Sequence, residues 1–300
     1  MGLFNKQQPK IVVHDGKFHA DDLFAAATVR MYLKGAGEII RTRDQKVIDF
    51  ADFVLDVGGI SDPGQQRFDH HQHGGAGVRS NGIPYASFGL VWRKYGDEIC
   101  GDSKIAERIE RKLVAPIDAD DNGYSLVQST APVAPYGLQG VLYALRPTWK
   151  EDPKMYDTSF MELLPFAQKL IEREIIIARD AIAAEEMVER AYQNALDKRC
   201  IELDGPYPYQ EKLTAHPEPL FVVAPRPADS KWKVECVRKN PFGFENRKSL
   251  PEKWAGLRDS DLALATGVSD AVFCHNGRFL AVAKTKEGAW ALAKLALAAE

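Results

Sequence analysis

IVVHDGKFHADDLFAAATVRMYL, residues 11–33, is the stretch that decides the fold. Ile11-Val12-Val13 is a short apolar run of β-branched residues, the composition of a strand. It gives way at once to His14-Asp15-Gly16, and from Leu23 to Leu33 apolar residues return at helical spacing. Working outward, further short strands are expected at Glu38 to Thr42 and Phe53 to Val57. Gly58-Gly59 and Asp62-Pro63-Gly64 then break the chain. Helical periodicity reappears around Tyr85 to Tyr95 and from Ser103 to Val114. Strands alternating with helices predict an α/β fold around a mostly parallel sheet. Chemistry in such a sheet belongs at the carboxyl ends of the strands.

The second half reads differently. The longest helical pattern runs from Met161 to about Lys198, with Leu163, Leu164, Leu170, Ile171, Ile175 and Ile176 among its apolar positions. Two proline-rich stretches follow, then strands at Phe221 to Val223 and Val234 to Val237. A hairpin is expected over Ala271 to Ala283, with Asn276-Gly277 at its turn, and a helix over Ala289 to Ala299. The expected organisation is an α/β domain over residues 1–160, a long linking helix over 161–200, and a smaller α+β domain over 201–300.

The chain has 300 residues, 45% of them hydrophobic and 27% charged, with a net charge of −3. That composition excludes disorder, collagen and coiled coil, and it leaves room for a sizeable core. A nucleic-acid partner would need a local basic patch, because the bulk charge is slightly negative. The four cysteines lie far apart without a CxxC pair, which argues against a zinc knuckle or a disulfide framework. The start, MGLFNKQQPK, lacks a long apolar or arginine-rich run, and position 6 is Lys6 where a myristoylation signal wants Ser or Thr. A chain free of the membrane and cytoplasmic is the expectation.

Histidine placement is the sharpest chemical signal. Five of the seven histidines (His14, His19, His70, His71, His73) fall within the first 73 residues, each near aspartates. His14 to Asp22 follows the first strand, Asp56 closes the strand Phe53 to Leu55, and Asp69-His70-His71 follows a turn. Asp118, Asp120 and Asp121 cluster after Ile117. Any one of these aspartates could simply cap a helix or end a strand; together they deliver imidazoles and carboxylates from several element ends, as a metal site requires. Imidazole and carboxylate donors without thiolate suit Mn²⁺, Mg²⁺, Fe²⁺ or Zn²⁺, and the carboxylate share leans toward Mn or Mg. More than four donors suggest two metals about 3.5–4 Å apart, the arrangement that clamps a phosphoryl group during hydrolysis.

Asp69-His70-His71, with a His/Asp motif upstream and a strand-end aspartate, resembles the DHH phosphoesterase superfamily. More closely, HDGKFHADD, DVGG, FDHHQ, DADDNG and LPEKWAGLRD, in that order, resemble the melanocyte-proliferating-gene (Myg) exonuclease family of metal-dependent hydrolases. The superfamily's first motif is His-x3-Asp-x-Asp; here it is His14-x4-His19-x-Asp21, so His19 stands where the first aspartate would. The resemblance implies a DHH-type N-terminal domain holding two divalent ions, Mn foremost. One ion would take His14, His19 and Asp56, and the other Asp21, Asp56, His70 and Asp118. Asp56 would bridge, His71 would face the substrate in a catalytic role, and Asp69 would orient a ligand imidazole. Asp121 is the alternative to Asp118.

From Lys231 to Arg258 eight basic residues stand against three acids, with Trp232, Phe242, Phe244 and Trp254 interleaved. Basic groups that track phosphates beside aromatics that stack bases are what single-stranded nucleic acid needs. Arg247, Lys248, Trp254 and Arg258, with His275 at the end of a strand, are the expected substrate contacts. The bland alternative is a solvated basic face with its aromatics in the core. The favoured reading is a Mn-dependent phosphodiesterase that trims single-stranded RNA or short oligonucleotides from the 3′ end. A pyrophosphatase or small-nucleotide phosphoesterase is the nearest alternative, and a metal-binding regulatory protein without turnover the next. No His-Glu-x-x-His helix or nucleophile signature supports a peptidase. A homodimer seamed by the long helix is left open.

Overall fold

The computed structural model describes residues 8–128 and 131–299. The segment read for targeting signals therefore lies, through residue 7, outside the described residues. Packing divides the chain into two units, one up to Arg179 and one from Asp180 onward.

In the first unit β1 (Lys10–Val13) leads into α1 (Ala20–Tyr32), β2 (Glu38–Arg41), α2 (Gln45–Asp49) and β3 (Phe53–Leu55). A short hairpin of β4 (Ser61–Asp62) and β5 (Arg67–Phe68) follows. The sheet order is β2-β1-β3-β5-β4. β1 pairs in parallel with β2 and β3, β3 in parallel with β5, and only β4 runs antiparallel. The expected mostly parallel sheet is thus present. Ile11, Val12 and Val13 have no exposed surface, the continuous apolar reading of a strand covered on both faces.

One face is covered by α1 and by α3 (Ser87–Cys100), which meet through Phe24 and Phe88, ring centroids 5.6 Å apart. The first turns of α1 are buried all round, so the helix reads as an Ala-rich run more than as a two-faced one. Asp22 Oδ1 accepts the His19 N–H at 2.7 Å and thereby closes the start of α1.

The helix expected over Ser103 to Val114 is more complex. α4 (Ser103–Ile109) passes through a wider π turn at Glu110–Val114 into α5 (Ala115–Asp121). Pro116 accounts for the wide turn, since it has no N–H to donate and its ring crowds the carbonyl four residues earlier. The acidic cluster Asp118 to Asp121 is therefore helical. α6 (Leu138–Ala144) was not expected from the sequence. α7 (Met155–Asn194) is a single 40-residue helix with Pro165 inside it. Its residues Phe160, Leu164 and Ile171 are buried, and Phe160 packs edge-on against Phe18 at 5.5 Å.

The second unit is built on β6 (Cys200–Glu202), α8 (Gln210–Thr214), β7 (Phe221–Arg226), β8 (Lys231–Cys236), α9 (Asp259–Thr266), β9 (Ala271–Cys274), β10 (Leu280–Ala283) and α10 (Lys286–Ala298). Its sheet runs β6-β7-β8-β10-β9, antiparallel except for the β6–β7 pair. Val188 and Tyr192 from the end of α7 join Ile201, Leu213 and Val222 in one cluster. Ala289, Leu292 and Ala293 of α10 pack with Phe221, Val234 and Trp254 in another. The protein is thus α/β with two mixed sheets. No described helix is long and apolar enough to cross a membrane.

Candidate metal centre

Each donor reaches the carboxyl edge of the first sheet by a local device. β1 ends at Val13 and delivers His14. The His14 Nδ1 lies 3.0 Å from the Asp15 carbonyl, which can only accept, so Nδ1 carries the proton. Nε2 is left free to face Asp22 Oδ2 at 3.2 Å and Asp56 Oδ2 at 3.3 Å. Asp56 follows β3 with φ of 54°, a left-handed conformation that Asp tolerates better than most residues. Its Oδ1 lies 3.2 Å from His70 Nε2 and 3.4 Å from His71 Nδ1. His70 Nε2 is also 3.1 Å from Asp121 Oδ2, on the last turn of α5. Three sets each bring donor atoms within 4.8 Å of one another: His14, His19 and Asp56; Asp56, His70 and His71; Asp21, His70 and Asp121.

Asp69 works behind this cluster. Its Oδ2 accepts the Gly59 N–H at 2.6 Å, and its Oδ1 accepts from the His70 and His71 N–H groups at 2.7 and 3.1 Å. The same Oδ1 takes His71 Nδ1 at 2.8 Å and raises the pKa of that imidazole. One carboxylate therefore shapes the turn and aims both histidines.

Placing so many carboxylates together has an electrostatic cost. Burial pushes Asp22 up to about 7, against the pull of His14. Burial and the neighbouring Asp56, Asp121 and Asp118 hold Asp21 well above the usual carboxylate range. Burial also works on Asp56, but the His14 and His70 imidazoles beside its two oxygens overcome it and hold that carboxyl below the usual range. His70 is opposed by burial yet driven up to about 11 by Asp121 and Asp56. In the metal-free protein the site's own imidazoles balance its carboxylates.

The fit of a cation rests on three atoms. Asp22 Oδ2, Asp56 Oδ1 and His70 Nε2 are buried and, although they face charged neighbours at 3.1–3.2 Å, none makes a contact with hydrogen-bond geometry. Buried polar atoms are nearly always partnered, and a divalent ion would supply what all three lack. Loading it should expel protons, because His70 holds one at pH 7 and a ligand imidazole must be neutral. The Mn²⁺ association constant is therefore expected to rise by about tenfold per pH unit for each proton released. Calorimetry in buffers of differing ionisation enthalpy reads the proton count directly, and a count of zero contradicts this ligand set.

Asp118 is not where the sequence reading put it. Its carboxylate is fully buried, accepts from Arg79 Nη2 at 2.7 Å and from the Gly89 N–H at 3.0 Å, and belongs to none of the three donor sets. One helical turn on, Asp121 reaches His70 instead. The two aspartates sit on α5 so that one faces α3 and the other the cleft.

The expected C-terminal contacts are also otherwise engaged. Arg247 donates to the carbonyls of His216, Thr214 and Pro219 at 2.5, 2.7 and 3.2 Å. Lys248 Nζ caps the end of α10 through the carbonyls of Leu297 and Ala299. Trp254 is 1% exposed, and His275 Nδ1 accepts the Gly277 N–H at 2.9 Å inside the β9–β10 turn. The Arg258 guanidinium lies 4.5 Å over the Phe273 ring. Arg247, Lys248, Trp254 and His275 thus build the second unit, while Phe242 and Phe244 are left outside.

The donors open onto a cleft of about 610 Å³, also lined by Lys17, Arg43, Asp120, Gln139 and Tyr143. Apart from Asp120, named with the acidic cluster, none of these was singled out from sequence. Arg43 had a usable signal, since it lies just past β2 at the same sheet edge. Gln139 and Tyr143 had none, because α6 is not legible. Asp22, which the sequence placed in the His14 to Asp22 segment without a ligand role of its own, both caps α1 and faces His14.

Residues 10–297 match the model of a family named MYG1_exonuc and described as uncharacterised protein family UPF0160. The chain is 30% identical to the human (Homo sapiens) MYG1 exonuclease, over 97% of this chain and 86% of that one. It is 31% identical to the mouse (Mus musculus) MYG1 exonuclease, over 97% and 85%. With the MYG1 protein of Dictyostelium discoideum it shares 28% identity over 94% of each chain.

Proposed function

The chain belongs to the MYG1_exonuc family, and from that membership we propose that it is a metal-dependent phosphodiesterase of the DHH type, a 3′–5′ exonuclease on RNA or short oligonucleotides. The observation that carries the reading is Asp56, whose two oxygens face His14 on one side and His70 on the other. A shared carboxylate between two imidazole-bearing pockets is the donor set of a two-metal site. The names of the human and mouse relatives supply the nuclease class.

In this reading His14, His19, Asp22 and Asp56 would hold one ion, and Asp21, Asp56, His70 and Asp121 would hold the other. Mn²⁺ suits this mix of oxygens and imidazoles best. Bound divalent ions would polarise the phosphoryl group and make water nucleophilic near neutral pH. The chain's own residues do the rest. Lys17 and Arg43 line the cleft and draw the phosphodiester toward it. His71 has a side chain 61% exposed, with Nδ1 held by Asp69. Its Nε2 is therefore the atom free to hand a proton to the departing oxygen.

The test is metal-stripped protein reloaded with Mn²⁺, Mg²⁺ or Zn²⁺ and given 5′-labelled RNA, the matching DNA, or pyrophosphate. A ladder of 5′-labelled RNA shortening one nucleotide at a time with Mn²⁺, and nothing without metal, is expected. Phosphate release from pyrophosphate alone moves the protein to a small-substrate phosphoesterase. Metal binding without turnover of any substrate leaves the non-catalytic reading.

A further inference from the structure

Beside the metal cleft lies a second depression of about 440 Å³ that shares Asp120, Gln139 and Tyr143 with it. Its remaining walls include Pro116, Tyr124, Leu126, Val127 and Pro135. Tyr124, Leu126, Val127 and Tyr143 are each between 46% and 61% exposed. A cluster of open aromatic and aliphatic surface is costly to hydrate and marks a binding site. No lysine or arginine is among the described residues that line the depression. An anion is therefore unsuited to it, and Asp120 at the shared rim would repel one.

We propose that this groove is the subsite for the terminal nucleoside, with its base stacked against Tyr143 and Tyr124 while the adjacent phosphodiester lies in the metal cleft. The inference rests on the phosphodiesterase reading above and extends it to how the strand end is held. Continuity selects the occupant. A substrate whose phosphate lies among His14, Asp56 and His70 must lead its attached nucleoside out past a shared wall. A groove of this volume suits one small ligand moiety, not a run of chain. Stacking on tyrosine also tolerates any base, as an enzyme that trims successive nucleotides requires.

The geometry ties the groove to the metal donors. Gln139 Oε1 accepts the Ala20 N–H at 2.8 Å, next to His19, while its Nε2 donates to the Tyr143 hydroxyl at 2.7 Å. The Tyr143 ring sits edge-on to His19 at 6.3 Å, and the Arg146 guanidinium lies 3.7 Å from its centroid. Tyr124 is pinned through its N–H to the Ala119 carbonyl at 2.7 Å, at the end of α5, the helix that carries Asp121. Both stacking rings are thus indexed to elements that deliver ligands.

The experiment compares two 5′-labelled oligonucleotides with the Mn²⁺-loaded protein. They differ only in whether the 3′-terminal nucleotide carries its base or is an abasic tetrahydrofuran analogue. Removal of the terminal unit is expected to be slower for the abasic end by about tenfold or more in kcat/KM, the scale of one lost base–aromatic stack. Tyr124→Ala and Leu126→Ala should each shrink that ratio toward one while keeping the wild-type unfolding midpoint, because both side chains are half exposed. Equal cleavage of the two ends by wild-type protein overturns the subsite and leaves the phosphodiesterase standing. No cleavage of either end overturns both.

Discussion

An Asp56→Asn variant is expected to fold, to lose its metal, and to lose about 10³-fold or more of kcat/KM on the oligonucleotide, about 4 kcal/mol at 1.36 kcal/mol per decade. Asn is the informative replacement because position 56 has φ of 54°, and Asn tolerates the left-handed region where Ala would add strain. The amide keeps the shape and removes the charge that both pockets share. His14 and His70, each about 3.2–3.3 Å from Asp56, can answer by shedding protons, so the metal-free fold survives. Metal content after gel filtration and kcat/KM on labelled RNA read the two losses separately. Activity within tenfold of wild type would remove Asp56 from the centre of the site.

The largest expected loss of stability lies one shell further out. Arg79→Met should cost about 3–5 kcal/mol in urea unfolding, because it strands a buried carboxylate. The Arg79 side chain is 6% exposed and Asp118 is fully buried. Arg79 also bonds Glu110 at 2.5 Å and the Pro84 carbonyl at 3.0 Å, and lies 4.0 Å over the Tyr85 ring. Space to relax is scarce: a Cβ on Gly89 would meet Asp118 Oδ2 at 1.9 Å.

The pH dependence of this loss has a definite sign. Burial holds Asp118 up to about 6 even with Arg79 present, and losing the guanidinium raises it further. A carboxyl with a raised folded pKa destabilises the fold where it must ionise. The cost of Arg79→Met should therefore grow as pH rises past about 6 and shrink in acid. Asp118→Asn in the Arg79→Met background should recover part of the loss. A flat cost from pH 5 to 8, or no recovery by Asn, would locate the damage elsewhere.

Much of the first sheet was legible because its signals are local. Ile11 to Val13 followed by His14 reads as a strand feeding a polar edge, and Phe53 to Leu55 followed by Asp56 repeats the pattern. Asp69-His70-His71 stands out by composition alone. The choice between Asp118 and Asp121 was not legible. It depends on helical phase along α5 and on a guanidinium 39 residues upstream in the chain. The same holds for Arg247 and Lys248, whose partners lie between 28 and 51 residues away. Sequence reads a positive charge without showing whether a carbonyl has already claimed it. The groove beside the cleft was invisible because α6 has little apolar periodicity and gains its place through Gln139.

The hydrogen bond from His14 Nδ1 to the Asp15 carbonyl has a consequence for genetics. The atom that fixes which nitrogen of His14 faces the carboxylates is a main-chain oxygen, present whatever residue occupies position 15. Scanning that position by side-chain replacement leaves the bond in place and reads only the pairing of Asp15 with Arg43. Inserting or deleting a residue between Val13 and Gly16 would instead displace the oxygen itself. The loop is thus permissive to spelling and intolerant of length, a constraint that a catalogue of point substitutions would score as no constraint.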